Sequence, residues 1–160
     1  MKDLKMTANK CMSMLDNIGI EYGTISKWEI NSRAIKRWGQ CKKRNDNFII
    51  SISSKLLEDS VDNKALETTV LHELLHTVEG CLNHGNKWQN VANRVNSRYG
   101  YNIKRTTSSE EKGIERTPYT YMVKCKDCGC EIGRYKMSSV ISHPQNYRCG
   151  SCGGKLERVL

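Results

Sequence analysis

Apolar residues recur at helical spacing from the start of the chain. Leu4, Cys11, Met14, Leu15 and Ile18 share one face and Gly19 follows as a stop, which predicts a helix over residues 3–18. Tyr22 to Ile30 reads as an imperfectly alternating strand. Phe48 to Ser53 reads as a better one, β-branched and preceded by the Asn45-Asp46-Asn47 turn cluster. Between them lies a basic connection containing Trp38-Gly39-Gln40-Cys41. Asp62 is placed to cap a helix from Asn63 to Glu79, closed by Gly80, with Leu66, Val70, Leu71, Leu74, Leu75 and Val78 as a dense apolar face. Asn86 to Tyr99 repeats the helical pattern with Trp88, Val91, Ala92 and Val95, and Gly100 ends it. Residues 104–117 have almost no apolar content and read as a linker. These elements predict an α+β domain over residues 1–105, a linker at 106–117 and a small module at 118–160.

The central helix carries the chemistry. His72-Glu73-Leu74-Leu75-His76 is an HExxH pattern, and residues four apart on a helix stack on one face, so two imidazoles can grip one zinc ion. Glu73 lies on the adjoining edge, placed to take a proton from a water activated by the metal. A catalytic zinc takes a third protein ligand and keeps one position open. His84, in the turn Asn83-His84-Gly85, is the expected third ligand, with Gly80 and Gly85 letting the loop fold back. Glu79 and Cys81 are the rivals. Glu79 lies about two turns, roughly 10 Å, along the axis from His72, and a thiolate at Cys81 would be unusual beside an open hydrolytic position.

Cys125-Lys126-Asp127-Cys128 and Cys149-Gly150-Ser151-Cys152 are two CxxC knuckles twenty residues apart, the spacing of a zinc ribbon. Four thiolates close the shell, so this second zinc is structural, and it holds together a tail too small to fold by apolar burial alone. Cys130 could replace Cys128 only by breaking the knuckle spacing. Cys11, Cys41, Cys81 and Cys130 are expected as buried or inert thiols, and Trp28, Trp38 and Trp88 as core anchors.

With these residues in view, the chain resembles the SprT-like metallopeptidases, the family that includes the DNA–protein crosslink protease Spartan. The resemblance rests on Trp38-Gly39-x-Cys41, the strand after it, the HELLH helix, the His84-Gly85-x-x-Trp88 pattern, the stretch Tyr101–Arg105 and the cysteine tail. It implies a zincin-type domain with the metal in a groove, His72, His76 and His84 as zinc ligands, Glu73 as catalytic acid/base, and proteolysis linked to DNA. The interval between His76 and His84 is shorter than in many members. Another zincin family is similar over the same stretch, and the four-cysteine tail favours the SprT-like reading.

Charge adds an expected partner. The net charge is +9, but residues 45–84 carry two basic against seven acidic residues, while segments 27–44 and 85–105 together carry twelve basic against one acidic. That asymmetry suits a polyanion held near the catalytic helix, and DNA (single-stranded or at a junction) is the expected partner beside a protein substrate. The ribbon interleaves Arg134, Tyr135, Lys136, Tyr147 and Arg148, which suits phosphate contact with base stacking. No run of eighteen apolar residues predicts a membrane span, and Met1 to Asn17 lacks the apolar stretch of a signal peptide. With eight cysteines read as reduced, the expected location is cytoplasmic. Two other functional classes stay open: a regulatory protease that cleaves a repressor without DNA, and a non-proteolytic DNA-binding adaptor, against which the intact Glu73 argues.

Two ligand sets predict two zinc ions per chain. Elemental analysis of metal-replete protein should find about two, and Cys149→Ser should remove one while leaving the histidine site filled. A single zinc in the intact chain would refute the two-site scheme.

Overall fold

The computed structural model describes residues 1–34, 37–115 and 117–160. Lys36 of the basic segment 27–44 and Arg116 of the expected linker lie outside them. The chain divides into two compact units, Met1–Arg116 and Thr117–Leu160.

In the first unit, helix α1 (Leu4–Asp16) is capped by Asp3, whose carboxylate accepts from the Lys5 and Met6 amides at 2.8 and 3.1 Å. It buries Leu4, Ala8, Cys11 and Leu15 against α2 (Asn63–Leu75). Strands β1 (Ile25–Asn31), β2 (Gly39–Arg44) and β3 (Asn47–Ser53) form one sheet in the order β1-β3-β2. β3 is central, parallel to β1 and antiparallel to β2, and it buries Phe48, Ile50 and Ile52. α3 (Asn86–Tyr99) buries Trp88, Val91, Ala92 and Val95 and ends at Gly100, whose φ of +68° is one that a glycine adopts without strain. Arg94 and Tyr99 tie it to α1 by hydrogen bonds to the Ile18 and Met14 carbonyls, at 2.8 Å each.

α2 is the core of this unit. Leu66, Val70, Leu71, Leu74 and Leu75 are all essentially buried, and each fully buried side chain of this type is worth about 1.5–3 kcal/mol. The helix stops at Leu75 instead of running to Glu79. Thr77 Oγ1 donates to the Leu74 carbonyl at 2.7 Å, and the Thr77 carbonyl accepts the Gly23 amide at 3.1 Å, so the chain leaves the helix in tight turns and reverses at Gly80, φ +74°.

Three further differences from the sequence reading concern segments of low apolar content. β1 begins at Ile25 rather than at Tyr22, because Gly23 turns its amide to Thr77. The basic connection contains strand β2, whose Lys42, Lys43 and Arg44 are exposed. An edge strand with one paired side needs no apolar alternation, and its charges block further pairing. The expected linker forms a short 3₁₀ turn at Glu110–Lys112 and buries Lys112 in the first unit.

After α3 the chain is folded back by Asn96, whose side chain donates to the Ile103 carbonyl at 2.9 Å and accepts its amide at 2.7 Å. This clamp, with Ile103 buried and the Tyr101 hydroxyl bonded to Glu67 of α2, leads residues 103–105 past the face of α2 that carries His72.

The second unit is a three-stranded antiparallel sheet in the order β5-β4-β6, with β4 at Tyr121–Cys125, β5 at Glu131–Arg134 and β6 at Leu156–Arg158. Its buried apolar core is Val123, Cys125, Ile141, Cys149 and Leu156. Two of these five are cysteines of the expected ribbon. No helix among the described residues is long and apolar enough to cross a membrane.

Ile50, fully buried at the centre of the first sheet, should be costly to truncate. Urea unfolding of Ile50→Ala should show a loss of about 2–5 kcal/mol. Met6→Ala, at an exposed position of α1, should change stability by less than about 0.5 kcal/mol.

Candidate metal centres

The last turn of α2, which carries His72, and the residue that caps it, His76, face the loop that carries His84. The His84 Nε2 lies 2.9 Å from His72 Nε2 and 3.1 Å from His76 Nε2. Such contacts are poor hydrogen bonds as a set. His76 Nδ1 sits 2.9 Å from the Cys81 carbonyl, which only accepts, so Nδ1 holds the proton and Nε2 presents a bare lone pair. His72 is also bonded to the backbone of Lys104. Lone pairs brought this close are explained by a cation between them. Zinc–nitrogen bonds of about 2.0–2.1 Å in a tetrahedron give nitrogen–nitrogen edges of about 3.3 Å, a few tenths longer than the spacings here. The three imidazoles therefore fit a metal ion, and two of them are held from behind by backbone groups, His76 by Cys81 and His72 by Lys104, as metal-ligating histidines require.

Burial, then the neighbouring imidazoles, lowers the His72 pKa to about 3, and burial lowers those of His76 and His84. The rings are therefore held neutral, the form that ligates metal. Trp88, fully buried, packs against all three with ring centroids 4.6–5.6 Å away. Trp88 is thus a core anchor, and it is also the floor of the site. Neither rival ligand joins the cluster: Cys81 contributes only its carbonyl, and Glu79 lines a groove beside Phe48 and Leu82. Of the two glycines expected to bend the loop, only Gly80 uses a left-handed conformation. Gly85 is extended at the N-terminus of α3.

Glu73 is buried, with 6% of its surface exposed, and that burial raises its pKa to about 7. A hydrogen bond from the Cys41 backbone amide and the charge of Lys112 act in the opposite direction. The Cys41 contact follows from the strand register. The Ser53 amide donates to the Trp38 carbonyl at 2.8 Å, so residues 40, 42 and 44 bond to β3, while 39, 41 and 43 direct their amides and carbonyls to the free edge of β2. Gly39 is required by proximity: a Cβ there would stand 2.5 Å from Glu73 Oε1. Lys112 completes the surround. It is 5% exposed, and its Nζ donates to Thr69 Oγ1 at 2.7 Å. A cleft of about 200 Å³ opens beside these groups, lined among others by Trp38, Gly39, His72, Glu73, Lys104 and Lys112.

The residues and this arrangement meet in one family. Residues 8–108 match the SprT-like family. This chain belongs to it. A search of curated proteins found no match. The SprT-like family is associated with metallopeptidase-type proteins, and the cluster of His72, His76 and His84 lies inside the matched region.

The four cysteines of this SprT-like protein's second unit form the other cluster. Cys125 Sγ lies 3.5 Å from Cys152 Sγ, and Cys128 Sγ lies 3.6 Å from Cys149 Sγ. Zinc–sulfur bonds of about 2.3 Å give edges of about 3.8 Å, so this set also fits a tetrahedral metal. Gly129 and Gly153 adopt φ of +72° and +75°, which turns their amides back to the Cys125 and Cys149 carbonyls at 3.0 and 2.8 Å. The Ser151 and Cys152 amides hold the Cys149 thiol below its ordinary pKa, favouring the ligating thiolate. Cys130 stands outside the cluster and its carbonyl accepts the Cys125 amide.

The sequence offered no signal for Lys112 or for the Lys104 backbone, both in a polar stretch. Gly39 and Cys41 were visible as a motif, but their tie to Glu73 was not. Gly39→Ala tests that tie. The variant should keep its histidine-bound metal by elemental analysis and lose about 1–3 kcal/mol in urea unfolding, because the added methyl meets a buried carboxylate.

Proposed function

We propose that this protein is a zinc-dependent endopeptidase acting on proteins bound or crosslinked to DNA. The observation that carries the reading is the pairing of three convergent, neutral imidazoles with a buried carboxylate whose pKa lies near neutrality. A zinc ion held by His72, His76 and His84 would supply Lewis acidity to the attacking water and to the scissile carbonyl. Glu73, as the general base, takes a proton from that water and later gives it to the leaving amine. A pKa near 7 suits both transfers. The Cys41 amide and Lys112 keep the carboxylate oriented between them. The outward amides and carbonyls of β2 suit an extended peptide laid along the cleft. Cys125, Cys128, Cys149 and Cys152 would hold the second, structural zinc.

The DNA part rests on charge. Lys42, Lys43 and Arg44 stand exposed on the strand that borders Glu73. In the second unit Arg134, Lys136, Tyr147 and Arg148 are exposed, offering cations together with a stacking ring.

The test is cleavage of a DNA-binding substrate, with and without single-stranded DNA, by the wild type and by Glu73→Gln. The variant should retain both metals and lose roughly 10²–10⁴ in rate. DNA should stimulate the wild type, and stimulation should fall steeply with salt. Unimpaired hydrolysis by Glu73→Gln would refute the assignment of the base. Cleavage indifferent to DNA would favour the regulatory protease, and stable DNA binding without any cleavage the adaptor.

A further inference from the structure

The cleft beside Glu73 is positive in a way that the metal and the base do not require. Lys104 and Arg105 enter it from the segment held by Asn96, and Lys112 enters from the 3₁₀ turn that follows. Lys104 is paired with Glu111 at 2.7 Å, and Glu111 does not line the cleft. Arg105 is exposed and forms no ion pair among the described residues. Lys112 is buried, and among the described residues the hydrogen-bond partner of its amine is the neutral Thr69 hydroxyl. Burying a cation is costly unless it is compensated. Here the compensation within reach is Glu73 and Glu111, whose charges oppose the effect of burial on the lysine. Lys112 keeps its charge at neutral pH, since its pKa falls only to about 8. Thr106 and Thr107 add hydroxyls to the same wall.

We propose that this cleft is a specificity subsite for a carboxylate of the substrate, an aspartate or glutamate side chain close to the scissile bond, held by Arg105 and Lys112. The inference rests on the proteolytic reading above. The cleft's volume of about 200 Å³ suits one side chain, and His72 and Glu73 form part of its wall. An acidic side chain seated there stands next to the reacting carbonyl. Guanidinium and ammonium donors in a partly enclosed cleft make charge-assisted hydrogen bonds, stronger than neutral ones. Arg105 also belongs to the basic segment 85–105, so a DNA phosphate is the rival occupant.

The experiment compares end-blocked peptides that differ only by Glu or Gln at each position around the cut, using the full-length, metal-replete protein. Two readouts are taken: kcat/KM for the wild type, and fluorescence-anisotropy affinity in Glu73→Gln, which consumes no peptide. Glutamate should be favoured by roughly 10- to 100-fold at one position in both readouts. Arg105→Gln should shrink that ratio several-fold, and Lys112→Met should abolish it. Arg105 is exposed, so its variant keeps the test decisive if Lys112→Met fails to fold. Equal treatment of Glu and Gln at every position overturns the subsite, as does a preference that survives Arg105→Gln undiminished. Arg105→Gln that weakens single-stranded DNA binding while the Glu/Gln ratio stays intact assigns the cleft to phosphate and also overturns it. Glutamate-selective binding without cleavage of any peptide would uphold the subsite and refute proteolysis, whereas cleavage without selectivity would do the reverse.

Discussion

The Nε2 of His84 lies about 3 Å from the Nε2 atoms of both His72 and His76, and lone pairs do not gather so closely without a cation to share. Much of the first unit follows from holding them there. The rings must be neutral, and His76 is buried while His72 and His84 are half-buried. They must also be aimed, so the His76 Nδ1–H donates to the Cys81 carbonyl and His72 is bonded to the backbone of Lys104. Trp88 fills the space behind all three. Each support comes from a different part of the chain: the turn after α2, the segment after α3, and α3 itself.

Glu73 answers to a different constraint. A carboxylate in the core is expensive unless something meets its charge, and this one is met by an outward amide of an edge strand and by a buried ammonium. The sheet therefore serves the site as well as the core. If β2 were paired on both sides, the Cys41 amide would be spent on a neighbouring strand. If position 39 carried a side chain, the carboxylate would have to move. The same edge leaves backbone groups of β2 without a strand partner beside the cleft.

The second unit shows the opposite economy. Its core is five buried apolar residues, two of them cysteines of the four-sulfur cluster, so a metal held by that cluster would be part of the fold itself. The first unit has a core of its own, so its fold does not depend in this way on the histidine cluster. Lys104, Arg105 and Lys112 make the cleft beside that cluster positive, and the segment bonded to His72 also lines the cleft.

Several features were fixed locally and could be read from residue spacing. α3 and the Asp62 cap of α2 depend on periodicity and on side chains a few positions away. His72 and His76 share a face because the helix repeats every 3.6 residues, and the two CxxC pairs announce their cluster by spacing alone. Tertiary structure decided what depends on partners distant in sequence. β2 carries no apolar alternation because only β3 pairs with it. α2 ends early because Thr77 is claimed by Gly23, fifty-four residues away. Lys112 sits in a stretch with the composition of a linker, and it is buried only because Asn96 returns the chain to α2, where Thr69 and Glu73 can receive an amine. Burial of a charge is a property of its surroundings, and no local pattern of residues encodes it.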